Sequence, residues 1–465
     1  MSGEEQHSQP IEALAESFEK MLSSDKQLYY DTDQLEDIIE HYLLTWQFPK
    51  ASRAISYAKQ LYPFDHRFDL YLAKTKAHSG RAAEALNLIM DLERLSATDD
   101  DLLLLKGEVL YVLKRYEESL QCYRALLDRG YDEMEVRLSM SNVFMDQGKY
   151  QEAMMALEDA FPEMRHEEYV YDLLDTCFIE TNSVEKGILF YNRLIDEFPY
   201  TFLAWKHLGE LYRERTLYEK AVWALGFCEA IREGDAQVMY LMAESLYDLS
   251  KFDESLSKFM ELIEMEPENP VFYHCAGNCY EEMDKQDEAR LHYRKALKIN
   301  PKYPSAWYGV SCTYYNDENY KKARYYAEKA IELKPYDPDY LMHYASILVE
   351  IDEMEDAIET YKVVVENSPE LPEAWLDYSL VLNEHRDRED AIELLFDALE
   401  HHEESAAIHY RIASYCFLQG RDQLATEHLI LGLKLNPEDA FLLYLHAPFL
   451  NGVPSVDEII NLYTK

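Results

Sequence analysis

Basic residues are scarce in this 465-residue chain, where 45 Lys and Arg stand against 89 Asp and Glu for a formal net charge of -44. A surface this acidic repels phosphate backbones and anionic bilayers. It excludes recognition of nucleic acid or membrane through a basic footprint and favours basic protein partners. Long apolar runs are missing too: no stretch approaches the ~18 consecutive residues of a membrane span. The opening MSGEEQHSQP has neither a basic start nor an apolar run. No secretory signal is therefore expected, the cytoplasm is the expected compartment, and residues 1–10 should be disordered. Cysteine is sparse as well. Cys122, Cys177, Cys228, Cys275, Cys279, Cys312 and Cys416 are an odd number at scattered apolar positions, which fits reduced thiols filling small core sites better than a disulfide framework. No glycine-rich phosphate loop and no nucleophile elbow occurs, so neither catalysis nor a cofactor is expected. Cys275 and Cys279 lie one turn apart beside His274, and His401, His402 and His409 cluster. Without a second pair at ligand spacing they read as core cysteines and solvated histidines, and no metal is expected.

What the chain does have is self-similarity at a period of 34 residues. Anchored on residue 304, units start at 32, 66, 100, 134, 168, 202, 236, 270, 304, 338, 372 and 406, twelve in all. In the unit at 304, Trp307, Val310, Ser311 and Tyr314 share one helical face. A polar Asn316-Asp317-Glu318-Asn319 break comes next, and a second helix then buries Ala323, Ala327, Ala330 and Ile331 and stops before Pro335. The twentieth residue of every unit is small, from Ala51 to Ala425, and the eighth is small in all but two, Ile39 and Asp175. Small residues at both positions let the two helices of a hairpin cross closely. A solenoid grows by stacking, so one continuous array over 32–439 is expected in place of several domains.

One unit carries Trp205, Leu208, Gly209, Tyr212 and Ala221, and another Tyr273, Ala276, Gly277, Tyr280, Ala289, Tyr293, Ala296 and Pro301. In these residues at these offsets the chain resembles the tetratricopeptide repeat family. The resemblance implies an all-α, right-handed superhelical solenoid of helix-turn-helix repeats with a concave groove, which most members use to hold protein segments. The co-chaperone subtype's clamp for a chain-terminal carboxylate is not matched: His274 and Asn278 are followed by Gly309, then by Asp339 and His343, while Lys206 is followed by Glu210.

Residues 11–31 hold an amphipathic helix through 11–22, with Ile11, Leu14, Phe18, Met21 and Leu22, and a linker; the helix should cap the first unit. Residues 440–465 should form C-terminal capping helices, the last opened by a Ser455–Glu458 capping box, with a homodimer through this apolar end as the alternative. The unit at 168 breaks the pattern. Its Asp175 stands at the close crossing, so either the helices splay there or Asp175 finds a donor such as a tyrosine hydroxyl.

At about 100° per residue, positions 2, 5, 9, 12 and 13 of each first helix lie opposite its core face, and in this family that side lines the groove. Position 13 reads Asp146, Glu180, Glu214, Asp248, Glu282, Asn316, Glu350 and Glu384. Position 9 adds Glu108, Glu210 and Glu244, and positions 5 and 12 add Tyr111, Tyr240, Tyr247, Tyr308, Tyr315 and Tyr410. An acidic, tyrosine-lined groove predicts a basic, extended peptide as partner and a non-enzymatic scaffold or adaptor as function. The alternatives are a structural subunit using its convex face or apolar ends, and an acidic mimic of nucleic acid.

Overall fold

The computed structural model describes residues 11–22, 28–95, 99–131 and 133–463. The stretch 1–10 expected to be disordered lies outside the described residues. α-Helices and short 3-10 turns are the only regular elements among the described residues. First helices open on the expected unit start in ten of the twelve repeats and one residue away at Arg67 and Glu133. Second helices open on the seventeenth residue of all twelve, from Phe48 to Asp422. Contacts divide the chain into two compact units, Met1–Thr216 and Leu217–Lys465. The first holds five complete repeats and the first helix of the repeat at 202; the second holds that repeat's other helix and six further repeats.

The helix starts have identifiable causes. The side chains of Asp31, Asp99, Asp235, Asn269 and Asp337 each accept a backbone N–H of the opening turn, satisfying donors that a helix N-terminus leaves orphaned. Pro270, Pro304, Pro338 and Pro372 occupy the first helical residue, where a missing N–H costs nothing. The indole N–H of Trp205, Trp307 and Trp375 donates to the carbonyl of Pro199, Pro301 and Pro369 at 2.8, 2.9 and 3.0 Å. Each bond ties a first helix to the turn that precedes it.

The crossing positions behave as their size demands. Ala51, Ala85, Ser119, Ala153, Ala221, Ser255, Ala289, Ala323, Ala357, Ala391 and Ala425 are all 0% exposed. Three crossing serines bond across the hairpin, Ser119 to Gly107 O at 2.7 Å, Ser255 to Ala243 O at 2.8 Å and Ser311 to Ala323 O at 2.7 Å, while Ser141 and Ser379 donate to a carbonyl of their own helix. At Gly277 a Cβ would stand 2.5 Å from the ring of Tyr293, so the absent side chain is the space that the ring fills.

The turn between the two helices uses a residue with positive φ at position 15 in eleven of the twelve repeats. Only Gly80, Gly148 and Gly420 are glycines. Trp46, Lys114, Asn182, Thr216, Ser250, Asp284, Glu318 and Asp352 adopt the left-handed conformation with side chains in place. The exception is the repeat at 372, whose first helix runs one residue longer, Pro372–His385, and ends on Arg386 at φ -122°.

At the amino end of the first unit, the helix Ile11–Leu22 buries Leu14, Ala15, Phe18 and Met21 beside Leu35, Ile38 and Tyr42. At the carboxyl end of the second, Leu443, Ala447, Leu450 and Val456 pack on Tyr410, Leu429 and Leu433 of the last repeat. Two details there differ from expectation. The final helix is Pro454–Tyr463, with Ser455 inside it and Pro454 opening it, so Ser455 is not the cap. Tyr410 is 0% exposed and donates to Asn436 O at 2.7 Å. It is core, not groove, because the segment after the last repeat covers its face.

Candidate functional site

All eight members of the position-13 series are exposed: Asp146, Glu180 and Glu214 in the first compact unit, and Asp248, Glu282, Asn316, Glu350 and Glu384 in the second. All but Glu384 are also the last residue of their helix. A carboxylate there faces the negative end of the helix macrodipole, at a cost of about 0.3–1 kcal/mol each. Hairpin folding gains nothing from this arrangement.

Tyr111, Tyr240, Tyr247, Tyr308 and Tyr315 are half-buried beside the series. A register recurs among them. The Tyr247 hydroxyl donates to Glu282 of the next repeat at 3.2 Å, and Tyr111 to Asp146 and Tyr315 to Glu350 bond across the same step. Burial and the Asp146 carboxylate push the Tyr111 hydroxyl up to about 12. Such hydroxyls stay neutral donors and occupy one lone pair of each carboxylate, leaving the others open. Tyr240 instead bonds Glu244 on its own helix. Among the position-9 acids, burial raises Glu108 and Glu210, so the floor takes up protons in milder acid than a solvated carboxylate does.

Between the repeats at 270 and 338 the floor is aromatic. Tyr308 lies 4.9 Å from Tyr340 and 5.2 Å from His343, ring centre to ring centre. Ser311 Oγ meets His343 Nε2 at 2.9 Å. Burial pushes His274 and His343 down to about 4, so neither brings positive charge at neutral pH. Burial likewise pushes the thiols of Cys275 and Cys312 up to about 12. Thiolate is scarce there, and with it nucleophilic reactivity. His409 is not the solvated residue expected: it is 6% exposed, with Nδ1 2.9 Å from Nδ1 of His428.

The first compact unit holds a cluster that sequence reasoning half found. Asp175 Oδ1 accepts from the Tyr191 hydroxyl at 2.6 Å, the tyrosine donor anticipated. Its Oδ2 lies 2.8 Å from His207 Nδ1, which is also 3.2 Å from Glu210 Oε2. His207 was not singled out. The signal was available, because position 8 of one repeat faces position 6 of the next. The helices Glu168–Glu180 and Val184–Glu197 also run together over a shorter stretch than the pair before them. The hairpin with a carboxylate at its crossing is thus the splayed one.

A family model described as tetratricopeptide repeat matches residues 126–404, and a second of the same description matches 380–440. The chain belongs to the tetratricopeptide repeat family. No curated protein matches it in a sequence search. Among solved structures, PilF of Pseudomonas aeruginosa is 17% identical, with 43% of this chain and 92% of that one covered at a TM-score of 0.38. A thermophilic tetratricopeptide repeat protein of Thermus thermophilus is 16% identical, covering 39% and 98% at 0.35. The C-terminal part of a tetratricopeptide repeat-containing protein of Cytophaga hutchinsonii is 15% identical, covering 51% and 97% at 0.41. The family is in general one of non-enzymatic protein-interaction folds, and its repeats make this chain a scaffold for protein contacts. No described helix is long and apolar enough to cross a membrane.

Proposed function

We propose that the chain is an adaptor that holds a basic, extended segment of a partner protein along the acidic, tyrosine-lined face of its first helices. The observation that carries the reading is the position-13 series. Carboxylates stand exposed on helix C-termini, where each opposes the macrodipole, and the single tyrosine bond that Asp146, Glu282 and Glu350 accept leaves most of their lone pairs open. Lys or Arg of an incoming segment would meet these carboxylates and lie against the tyrosine rings beside them. The test is affinity capture at low and high salt, with the wild type beside a triple Asp248→Lys, Glu282→Lys, Glu350→Lys variant. The expected partner is held by the wild type at low salt only and is lost from the variant. Lysine suits a helix C-terminus, which offsets the loss of the Tyr247–Glu282 and Tyr315–Glu350 bonds, so a folded variant is expected and its melt is recorded beside the capture. A partner retained by the variant and in high salt overturns the reading.

A second reading has its own observation. Phe441, Leu445, Phe449 and Leu462 are 62%, 64%, 56% and 77% exposed at the carboxyl end, although their neighbours are buried on the last repeat. A homodimer through this end, with the chain as a structural subunit, would cover them. Light scattering of a Leu445→Glu, Phe449→Glu variant tests it: a mass unchanged from wild type removes the reading.

A further inference from the structure

We propose that Asp175, His207 and Glu210 bind one divalent transition-metal ion of the zinc class. This stands independently of the peptide reading. One atom from each residue converges, His207 Nδ1, an Asp175 oxygen and a Glu210 oxygen, and the three lie within 4.8 Å of one another. Tetrahedral ligands held at about 2.0–2.1 Å from zinc stand roughly 3.3 Å apart. The separations of 2.8 and 3.2 Å from Nδ1 are already near that edge.

The surroundings are built for these atoms. His207 is 0% exposed and Asp175 8%. The Tyr171 ring stacks on the imidazole at 4.9 Å and fixes its plane, and the Tyr191 hydroxyl holds the other Asp175 oxygen, as partners of a ligating carboxylate do. The Nε2 of His207 has no hydrogen-bond partner among the described residues, so the ring is oriented by its Nδ1 side. Glu210, 26% exposed at its side chain, leaves one side open, where water or another donor would complete the coordination.

Charge points the same way. Asp172 and Asp175 act unfavourably on the Glu210 carboxyl, while His207 and Lys206 act favourably. Lys206 is itself bonded to Glu168 at 2.5 Å. Negative charge is thus in excess around a buried imidazole. Burial pushes the Asp175 and Glu210 carboxyls upward, the cost of holding charge there that a cation seated between them would offset. Imidazole with two carboxylates suits zinc-like ions over calcium, which takes six to eight oxygens.

The experiment is calorimetric titration of the chelator-stripped full chain with zinc chloride at neutral pH, repeated with Glu210→Gln and Asp175→Asn. The expected result is about one equivalent bound, with a rise in melting temperature, and affinity at least tenfold weaker in both variants. Glu210 is no part of the core, so the Glu210→Gln chain should melt where the metal-free wild type melts, and its loss of affinity would report on the site alone. Either of two results overturns the proposal. One is a folded wild type that takes up no zinc. The other is zinc affinity unchanged in Glu210→Gln.

Discussion

The repeats at 168 and 304 solve the same crossing with different chemistry. At 304 two small residues meet, and Ser311 Oγ spans the gap to Ala323 O at 2.7 Å. That hairpin is closed from within. At 168 a carboxylate replaces the small residue, and Gly187 gives no extra room, since a Cβ there would stand 2.6 Å from Phe178 and from Leu211. This hairpin is held by side chains: Tyr191 from within it and His207 from the next helix. The comparison teaches that a repeat tolerates a buried carboxylate when its neighbour supplies the second donor. The 168 crossing therefore depends on the helix Phe202–Glu214, whereas the 304 crossing has a bond within the hairpin, from Ser311 to Ala323 O, beside the one to His343 of the next repeat.

The largest effect should come from removing that carboxylate. Asp175→Ala leaves the Tyr191 hydroxyl buried without its acceptor and the His207 imidazole with Glu210 alone, and should cost about 3 kcal/mol. At the 304 crossing, Ser311→Ala loses two neutral hydrogen bonds, to Ala323 O and His343 Nε2, and should cost about 1–2 kcal/mol. Equal losses in urea unfolding would erase the distinction. Size is the complementary way to break it. Ala323→Leu forces a side chain into a crossing that is 0% exposed and should cost about 1–3 kcal/mol by overpacking. An unchanged denaturation midpoint would mean that the helices there can part at no cost.

Acid should sharpen the contrast, because the two neighbourhoods titrate with opposite sign. Burial holds His343, bonded to Ser311, down to about 4 from 6.5. The unfolded chain then binds the proton first, so this contribution is complete above pH 6.5 and is lost as pH falls toward 4, by about 3 kcal/mol. Asp175 is raised above 3.8. Its neutral form suits the fold, so its contribution is complete below that value and is lost as pH rises through the raised one. His343→Gln should flatten the acid limb of a pH series of melts, and a wild-type slope in that variant would remove His343 as the cause.

Legibility in the sequence depended on what a repeat does and does not encode. Helix starts fall where the 34-residue register puts them, because capping residues, prolines and small crossing residues recur at fixed offsets. Contacts made by one repeat's departure from the pattern were harder to see. Asp175 was visibly out of place and its tyrosine donor could be guessed, but His207 lies 32 residues on and looks ordinary by itself. Tyr410 occupies an offset that faces the groove in earlier repeats. In the last repeat Ala440 and Leu443 cover that face, and periodicity carries no signal about the segment beyond the end of a periodic array. The division at Thr216 and Leu217 is likewise invisible in a register that runs through it unbroken.

The turn at position 15 was hidden for a different reason, and it carries the smallest prediction. Eight different repeats place a side chain at positive φ, among them Ser250 at 58° and Asp352 at 63°, so residue type signals nothing. An L-residue in this conformation is disfavoured by about 1–2 kcal/mol where a glycine is not. Glycine recovers part of that and returns part through the greater freedom of the unfolded chain. Asp352→Gly should therefore stabilise by about 0.5 kcal/mol, seen as a small rise in the denaturation midpoint. Arg386→Gly, at φ -122° in the repeat whose first helix runs one residue past its usual end, has no left-handed strain to relieve and should destabilise. If the two substitutions shift the midpoint in the same direction, the left-handed turn is not what sets the register between the helices. The extra residue of the 372 repeat would then need another cause.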